Sequence, residues 1–110
     1  MGKQETEIQN AIRLGVSDIA VIFRINTGLL YSKTGVPVRT GTPGYPDLSG
    51  YRKSDGKAVF VEVKTERGVR SKEQENFIRV AQSHGCLAGF ARSVEEARQI
   101  ILDENNNNEL

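Results

Sequence analysis

The sequence is poor in the residues that build covalent or histidine-based sites. It contains one cysteine, Cys86, and one histidine, His84. A single cysteine cannot form a disulfide framework within a chain, which indicates a reducing compartment such as the cytosol. His84 lies at the end of a predicted helix, where it suits the helix dipole. These counts argue against serine–histidine and cysteine–histidine chemistry and against a zinc site.

Long apolar segments and a strong net charge are also lacking. No run approaches the roughly 20 apolar residues that span a membrane, and the start, MGKQETEIQN, has no apolar signal region. We therefore expect a cytoplasmic protein without a membrane partner. The net charge is +1, so the overall balance does not indicate a polyanionic partner. A local basic patch beside an acidic pocket is still compatible with that balance.

The hydrophobic pattern predicts one small domain over residues 1–103, followed by an Asn-rich, disordered tail over residues 104–110. Helices are predicted from about Gln4 to Leu14, after Ser71 and after Ser93. The predicted strands are Ala20–Ile25, Leu29–Lys33, Pro46–Tyr51, Ala58–Thr65 and Leu87–Ala91. We expect the second strand to form a hairpin with the first, and residues 34–45 to form a long loop. The core order α-β-β-β-α-β-α predicts an α/β domain with a mixed sheet flanked by helices.

The most apolar strand carries two charges, Glu62 and Lys64. Because residues two apart in a strand point to the same side, Glu62 and Lys64 share one face, and Val59, Val61 and Val63 share the other. Taken alone, this pattern also fits an edge strand with one solvated face.

Asp47 on the preceding strand strengthens a functional interpretation. The Asp55-Gly56 turn predicts a hairpin that brings Asp47 close to Glu62. Two neighbouring carboxylates repel each other, and a magnesium ion would resolve that conflict by binding both, with the backbone carbonyl of Val63 as a further oxygen ligand. Lys64 would then stand beside the nucleophilic water.

These residues resemble a known motif. Pro46-Asp47 followed by Glu62-Val63-Lys64 resembles the PD-(D/E)XK nuclease motif, and the wider pattern resembles its VRR-NUC (virus-type replication-repair nuclease) branch, in the stand-alone virus and bacterial form. The matching features are a glutamate in the first helix, a Gly-x-Pro-Asp stretch, a Glu-hydrophobic-Lys strand and a glutamine in the next helix. They correspond here to Glu7, GYPDLSG from Gly44, VEVK from Val61, and Gln74.

The resemblance implies a restriction-endonuclease-like fold and hydrolysis of DNA phosphodiesters with Mg²⁺ or Mn²⁺. It assigns the metal to Glu7, Asp47, Glu62 and Val63, and catalysis to Asp47, Glu62, Lys64 and Gln74. Glu5 is the neighbouring acid that could be mistaken for Glu7, and Gln74 could instead serve only as the capping partner of Ser71. No organic cofactor is implied.

The resemblance also implies a substrate and an assembly. Stand-alone members of the family are associated with homodimers that cut four-way (Holliday) junctions. Alternatives are a nuclease for flaps or forks, a subunit of a restriction enzyme, or a module that binds branched DNA without cutting it. The basic residues that flank the site are candidate phosphate contacts, although charged residues usually form a solvated surface. They are Arg39, Arg52, Lys53, Arg67, Arg70, Lys72 and Arg92.

Overall fold

The fold comes from a computed structural model, which describes residues 4–25, 28–40 and 42–102, with the backbone alone for residues 28–31 and 38–40. The expected tail over residues 104–110 lies outside the described residues. The helices are α1 (Glu5–Gly15), α2 (Lys72–Ser83) and α3 (Val94–Leu102). The strands are β1 (Ala20–Arg24), β2 (Gly28–Tyr31), β3 (Pro37–Thr40), β4 (Leu48–Arg52), β5 (Ala58–Val63) and β6 (Leu87–Ala91).

A mixed four-stranded sheet forms the centre of the domain, in the order β1-β4-β5-β6. Strand β4 runs antiparallel to β1 and to β5, whereas β6 runs parallel to β5. With the small β2–β3 sheet set aside, the elements follow the order α-β-β-β-α-β-α. The predicted α/β class, the mixed sheet and the core order are therefore confirmed, and they agree with a restriction-endonuclease-like fold.

The predicted pairing of the second strand is wrong. Strand β2 pairs with β3, which lies inside the predicted loop, while β1 pairs with β4. The turn that closes the small hairpin lies at Ser32–Val36, where the Ser32 N–H donates to the Val36 carbonyl at 2.8 Å and Gly35 takes a φ of +84°. Pro37 is tolerated because it begins a strand in a two-stranded sheet, where few ladder bonds are lost.

Both faces of β5 are covered. Val59, Val61 and Val63 pack against α1 and α3, and Phe60 faces the smaller core under α2. The strand is central rather than at an edge, because β4 and β6 pair on either side of it. A solvated face for Glu62 and Lys64 is therefore excluded.

The start of β4, the end of β5 and the starts of α2 and α3 all lie at one edge of the sheet. Because Leu48 pairs with Val61, the start of β4 meets the end of β5. Helices α2 and α3 follow the carboxyl ends of the parallel strands β5 and β6, so both begin at this edge. Ligands of open α/β sheets bind outside the carboxyl ends of the strands. Within residues 4–25, 28–40 and 42–102, no helix has the length and apolar character needed to cross a membrane.

Candidate active site

Asp47 and Glu62 lie close together at this edge, as the hairpin predicted from the Asp55-Gly56 turn requires. The pairing of Leu48 with Val61 continues one step further and places Asp47 opposite Glu62. The Asp47 carboxylate accepts a hydrogen bond from the Val63 N–H at 3.0 Å, and its carbonyl accepts from the Ile25 N–H at 2.9 Å. Asp47 is thereby tied to both neighbouring strands and directed at the end of β5.

Glu62 is a buried carboxyl with one oxygen bound and one oxygen without a partner. Its side chain is 3% exposed. Oε1 accepts from the Gln74 amide at 3.0 Å, and Oε2 is buried with no hydrogen-bond partner among the described residues. Burial, followed by the charge of Asp47, raises the pKa of Glu62 from 4.5 to about 9. Such perturbation in a cleft marks a candidate functional residue.

Gln74 is the capping partner of Ser71 and also contacts Glu62. Its side-chain oxygen accepts from the Ser71 N–H at 3.0 Å, and the Ser71 hydroxyl accepts from the Gln74 N–H at 3.1 Å, which completes a capping box at the start of α2. Its amide nitrogen is left to donate to Glu62. One side chain therefore starts the helix and fixes the carboxyl.

Lys64 lies beside the carboxyls although it follows the last residue of β5. It is 8% exposed, and its ammonium donates to the Val69 carbonyl at 3.1 Å. Its backbone N–H donates to the Ala91 carbonyl at 3.0 Å, which extends the pairing with β6 by one step. Burial and Asp47 raise the pKa of Glu62, and the charge of Lys64 opposes that shift. The Val69 carbonyl holds the ammonium at a place from which its charge acts on Glu62.

The acid of α1 that lies toward Asp47 is Glu5, whereas the acid named by the resemblance, Glu7, turns back to the start of the helix. Desolvation, followed by the charge of Asp47, raises the pKa of Glu5. The Glu7 carboxylate turns back to accept from the Gln4 N–H at 3.3 Å. The two side chains point in different directions because residues two apart on a helix lie about 200° apart.

The helical stripe contained the signal that distinguishes the two acids. Ile8 and Ile12 are buried on the inner face of α1. Glu5 lies seven residues before Ile12, about two turns, and therefore on the same face. Glu7 lies five residues before Ile12, roughly 140° away.

A motif glycine brings the Asp47 loop against α2. Gly44 takes a φ of +82°, and a Cβ at this position would lie 2.4 Å from the Glu73 carbonyl oxygen. Only glycine accepts both the left-handed backbone and the close approach. The first glycine of GYPDLSG is therefore needed to place Asp47.

The donor set fits a divalent cation. Within residues 4–25, 28–40 and 42–102, no group of three or more Asp, Glu, His or Cys side chains is arranged as a metal centre. Magnesium, however, is usually bound by one or two carboxylates with waters and substrate oxygens. Asp47 and Glu62 are such a pair, and Glu62 Oε2, which has no partner among the described residues, is a buried oxygen available to a cation.

Four of the candidate phosphate contacts lie near this edge. Arg67 and Lys72 are exposed in the segment between β5 and the first turn of α2, and Arg92 is exposed after β6. Arg70 stacks on Phe90, with its guanidinium carbon 4.0 Å from the ring centroid. The side chain of Arg39 lies outside the described residues.

Arg52 and Lys53, which the sequence predicts as phosphate contacts, lie at the opposite edge of the sheet from Asp47. Strand β4 begins beside Asp47 and ends at Arg52, roughly 17 Å away at ~3.4 Å per residue. Arg52 is 4% exposed, donates to both Asp55 oxygens and reaches the Ile101 carbonyl at 2.8 Å. Lys53 donates to the Ser17 carbonyl at 2.7 Å. Both side chains tie the far ends of the helices to the sheet.

The Arg52–Asp55 pair predicts a pH dependence of stability. The hydrogen bonds from Arg52 lower the pKa of Asp55 from 3.8 to about 2. Because the folded pKa is the lower one, the stabilisation is complete above pH 3.8 and is lost as the pH falls toward 2. We expect Asp55→Asn to lower the melting temperature at pH 6 and to melt like the wild type near pH 2. Thermal denaturation across this range measures the difference, and an equal offset at every pH would contradict it.

The comparison with known families agrees with the geometry. A family model described as the VRR-NUC domain matches residues 28–95, a range that contains Asp47, Glu62, Lys64 and Gln74. No curated protein matches the chain.

Proposed function

The chain belongs to the VRR-NUC domain family and is a nuclease, and on that premise we propose that it cuts branched DNA with a divalent metal ion. The proposed substrate is a four-way junction, cut by a homodimer. The proposal depends mainly on one observation. Asp47 lies beside Glu62 at the carboxyl ends of the parallel strands, and one buried oxygen of Glu62 has no hydrogen-bond partner among the described residues.

The residues that would hold the cation are Asp47, Glu62, the Val63 carbonyl and Glu5. When bound, a Mg²⁺ or Mn²⁺ ion supplies Lewis acidity and lowers the pKa of a water molecule. Gln74 keeps the Glu62 carboxyl in place through its 3.0 Å hydrogen bond. Asp47 is kept in place by the Val63 N–H.

Lys64 contributes positive charge to the same site. One of its three ammonium hydrogens is used by the Val69 carbonyl. The others are available to the attacking water or to a phosphate oxygen. In the reaction the water oxygen bonds to phosphorus and releases a proton to solvent, the bond from phosphorus to the leaving oxygen breaks, and that oxygen takes up a proton from solvent.

The substrate class is supported by the charges around the site. Exposed Arg67, Lys72 and Arg92, with Arg70 on Phe90, can neutralise phosphates without reading bases. Recognition by shape and charge suits a branched substrate. A chain with one site pairs through a two-fold axis to cut two strands symmetrically.

A panel of labelled DNAs tests the proposal. The protein is incubated with a four-way junction, a splayed fork, a flap and a linear duplex, with Mg²⁺, with Mn²⁺ or with a chelator, and Glu62→Gln serves as the inactive variant. We expect paired incisions in the junction with either metal and none with the chelator. Cutting in the chelator, or no cutting of any substrate, contradicts the proposed activity. Preferred cutting of the flap or fork contradicts the junction assignment, and a monomer mass by light scattering contradicts the dimer.

The two acids of α1 give a matched pair of variants. We expect Glu5→Gln to lower the cleavage rate about tenfold or more. Loss of a metal ligand, or of a residue that hydrogen-bonds to one, commonly lowers activity by that factor. Glu7→Gln should cleave like the wild type, since its carboxylate accepts from the Gln4 N–H at the start of the helix. Initial rates at saturating Mg²⁺ measure both. The reverse ranking would restore Glu7 as the acid of the site.

A further inference from the structure

Gln9 is a buried polar side chain that the proposed chemistry leaves unused. It lies on the inner face of α1, one turn after Glu5, and is 6% exposed. Its neighbours along that face, Ile8 and Ile12, are core residues. A glutamine at such a position needs hydrogen-bond partners, because burial removes the water that would otherwise satisfy it.

One end of the Gln9 amide has a partner and the other does not. The amide nitrogen donates to the Glu5 carboxylate at 3.4 Å. In this orientation the amide nitrogen faces the Glu5 carboxyl, which can accept its hydrogen. The carbonyl oxygen is buried and has no partner among the described residues.

The two partnerless buried side-chain oxygens of the described residues both belong to this region. They are Gln9 Oε1 and Glu62 Oε2. Glu62 lies opposite Asp47 in the pairing of β4 with β5, the charge of Asp47 acts on Glu5, and Glu5 accepts a hydrogen bond from Gln9. These residues link the end of β5 to α1. Such oxygens are rare in native proteins and often mark a functional group or a bound water.

We propose that Gln9 is a positioning residue for the metal-bound form of the site. Its amide nitrogen holds Glu5 toward Asp47, and its carbonyl accepts a hydrogen from a water molecule in the hydration shell of the divalent cation. The inference rests on the proposed function and extends it to a residue in the interior of α1. Magnesium retains several waters in protein sites, and those waters donate outward to protein oxygens.

Cation binding separates this role from a purely structural one. Calcium is titrated by calorimetry into the metal-free protein, without DNA and without turnover. The variants are Gln9→Met, which keeps the length of the side chain and removes both polar groups, Glu5→Gln, and the double variant. Asn10→Ala is the matched control, because Asn10 is the next residue on α1 and is exposed.

We expect Gln9→Met to weaken calcium binding by about tenfold or more and Asn10→Ala to leave it unchanged. Because the Gln9 amide nitrogen acts through Glu5, the double variant should lose less calcium affinity than the sum of the two single losses. Calcium binding by Gln9→Met at wild-type affinity overturns the inference and leaves the proposed function intact. Strictly additive losses in the double variant overturn the coupling to Glu5. No calcium, magnesium or manganese binding by the wild type overturns the proposed function as well.

The melting temperature of the metal-free protein supplies the second measurement. If Gln9 served only to stabilise the core, its replacement would lower the melting temperature of the metal-free protein. Gln9→Met should melt at the same or a higher temperature than the wild type, because it removes a buried carbonyl that has no partner among the described residues. A clear fall in the metal-free melting temperature, together with unchanged calcium affinity, would identify Gln9 as a core residue and overturn the inference.

Discussion

Replacing Lys64 by methionine should lower the rate of junction cleavage by at least about a hundredfold, in the range that a positioned acid–base or charged group contributes. Methionine keeps the apolar stem in its buried position and removes the ammonium that lies beside Glu62. Binding of the junction should change little, because the exposed basic residues around the site provide most of the phosphate contacts. Single-turnover cleavage and gel-shift binding, measured on the same preparation, separate the two effects.

Lys53 provides the control for the loss of a lysine. Its ammonium donates to the Ser17 carbonyl at the far edge of the sheet, so Lys53→Met should cleave like the wild type. Cleavage by Lys64→Met within a few-fold of the wild-type rate would show that the ammonium has no part in the reaction. Equal losses in both variants would indicate a general effect of charge on DNA binding.

Gly50→Ala should be the most destabilising small substitution in the domain, at about 3 kcal/mol or more, because it overpacks a rigid site. A Cβ at Gly50 would lie 1.8 Å from the Val21 carbonyl oxygen, which belongs to the neighbouring strand β1. Backbone atoms of a central sheet cannot move aside as a flexible side chain can. We expect β1 and β4 to separate locally or the domain to unfold. Urea denaturation measures the change in the free energy of unfolding.

Gly56→Ala separates packing from backbone conformation. Gly56 has a φ of +79°, and no atom of the described residues outside its own turn lies within 4 Å of the position that a Cβ would take. Its alanine variant should therefore lose only about 1–2 kcal/mol, the cost of the left-handed conformation. A loss at Gly50 no larger than that at Gly56 would show that the two strands can move apart at little cost.

Local rules were sufficient where a contact depends on neighbouring elements. The Asp-Gly turn and the period-2 alternation predict a hairpin in which Asp47 reaches Glu62, and the structure has that pairing. The capping box predicts the start of α2, and Ser71 with Gln74 forms it. These predictions hold because a tight turn determines the register of the strands on either side of it.

Local rules failed where distant segments compete for one partner. The first strand could pair with β2 or with β4, and it pairs with β4 in the larger, buried sheet. The sequence places Arg52 and Lys53 beside the site as surface charges, but β4 carries them to the far edge, where Arg52 meets the Ile101 carbonyl from the last helix. No spacing along the sequence indicates that contact.

The sequence by itself therefore determined the class of the fold, the pairing of Asp47 with Glu62, and the placement of Lys64 and Gln74 near them. Only the tertiary structure decided that Glu62 is buried with one oxygen unpartnered among the described residues, and that Gln9 lies behind Glu5. The physical reason is that turns and periodicity act over a few residues. The rotation of α1 against the sheet, by contrast, is chosen by packing of Ile8 and Ile12 against strands that lie far along the chain.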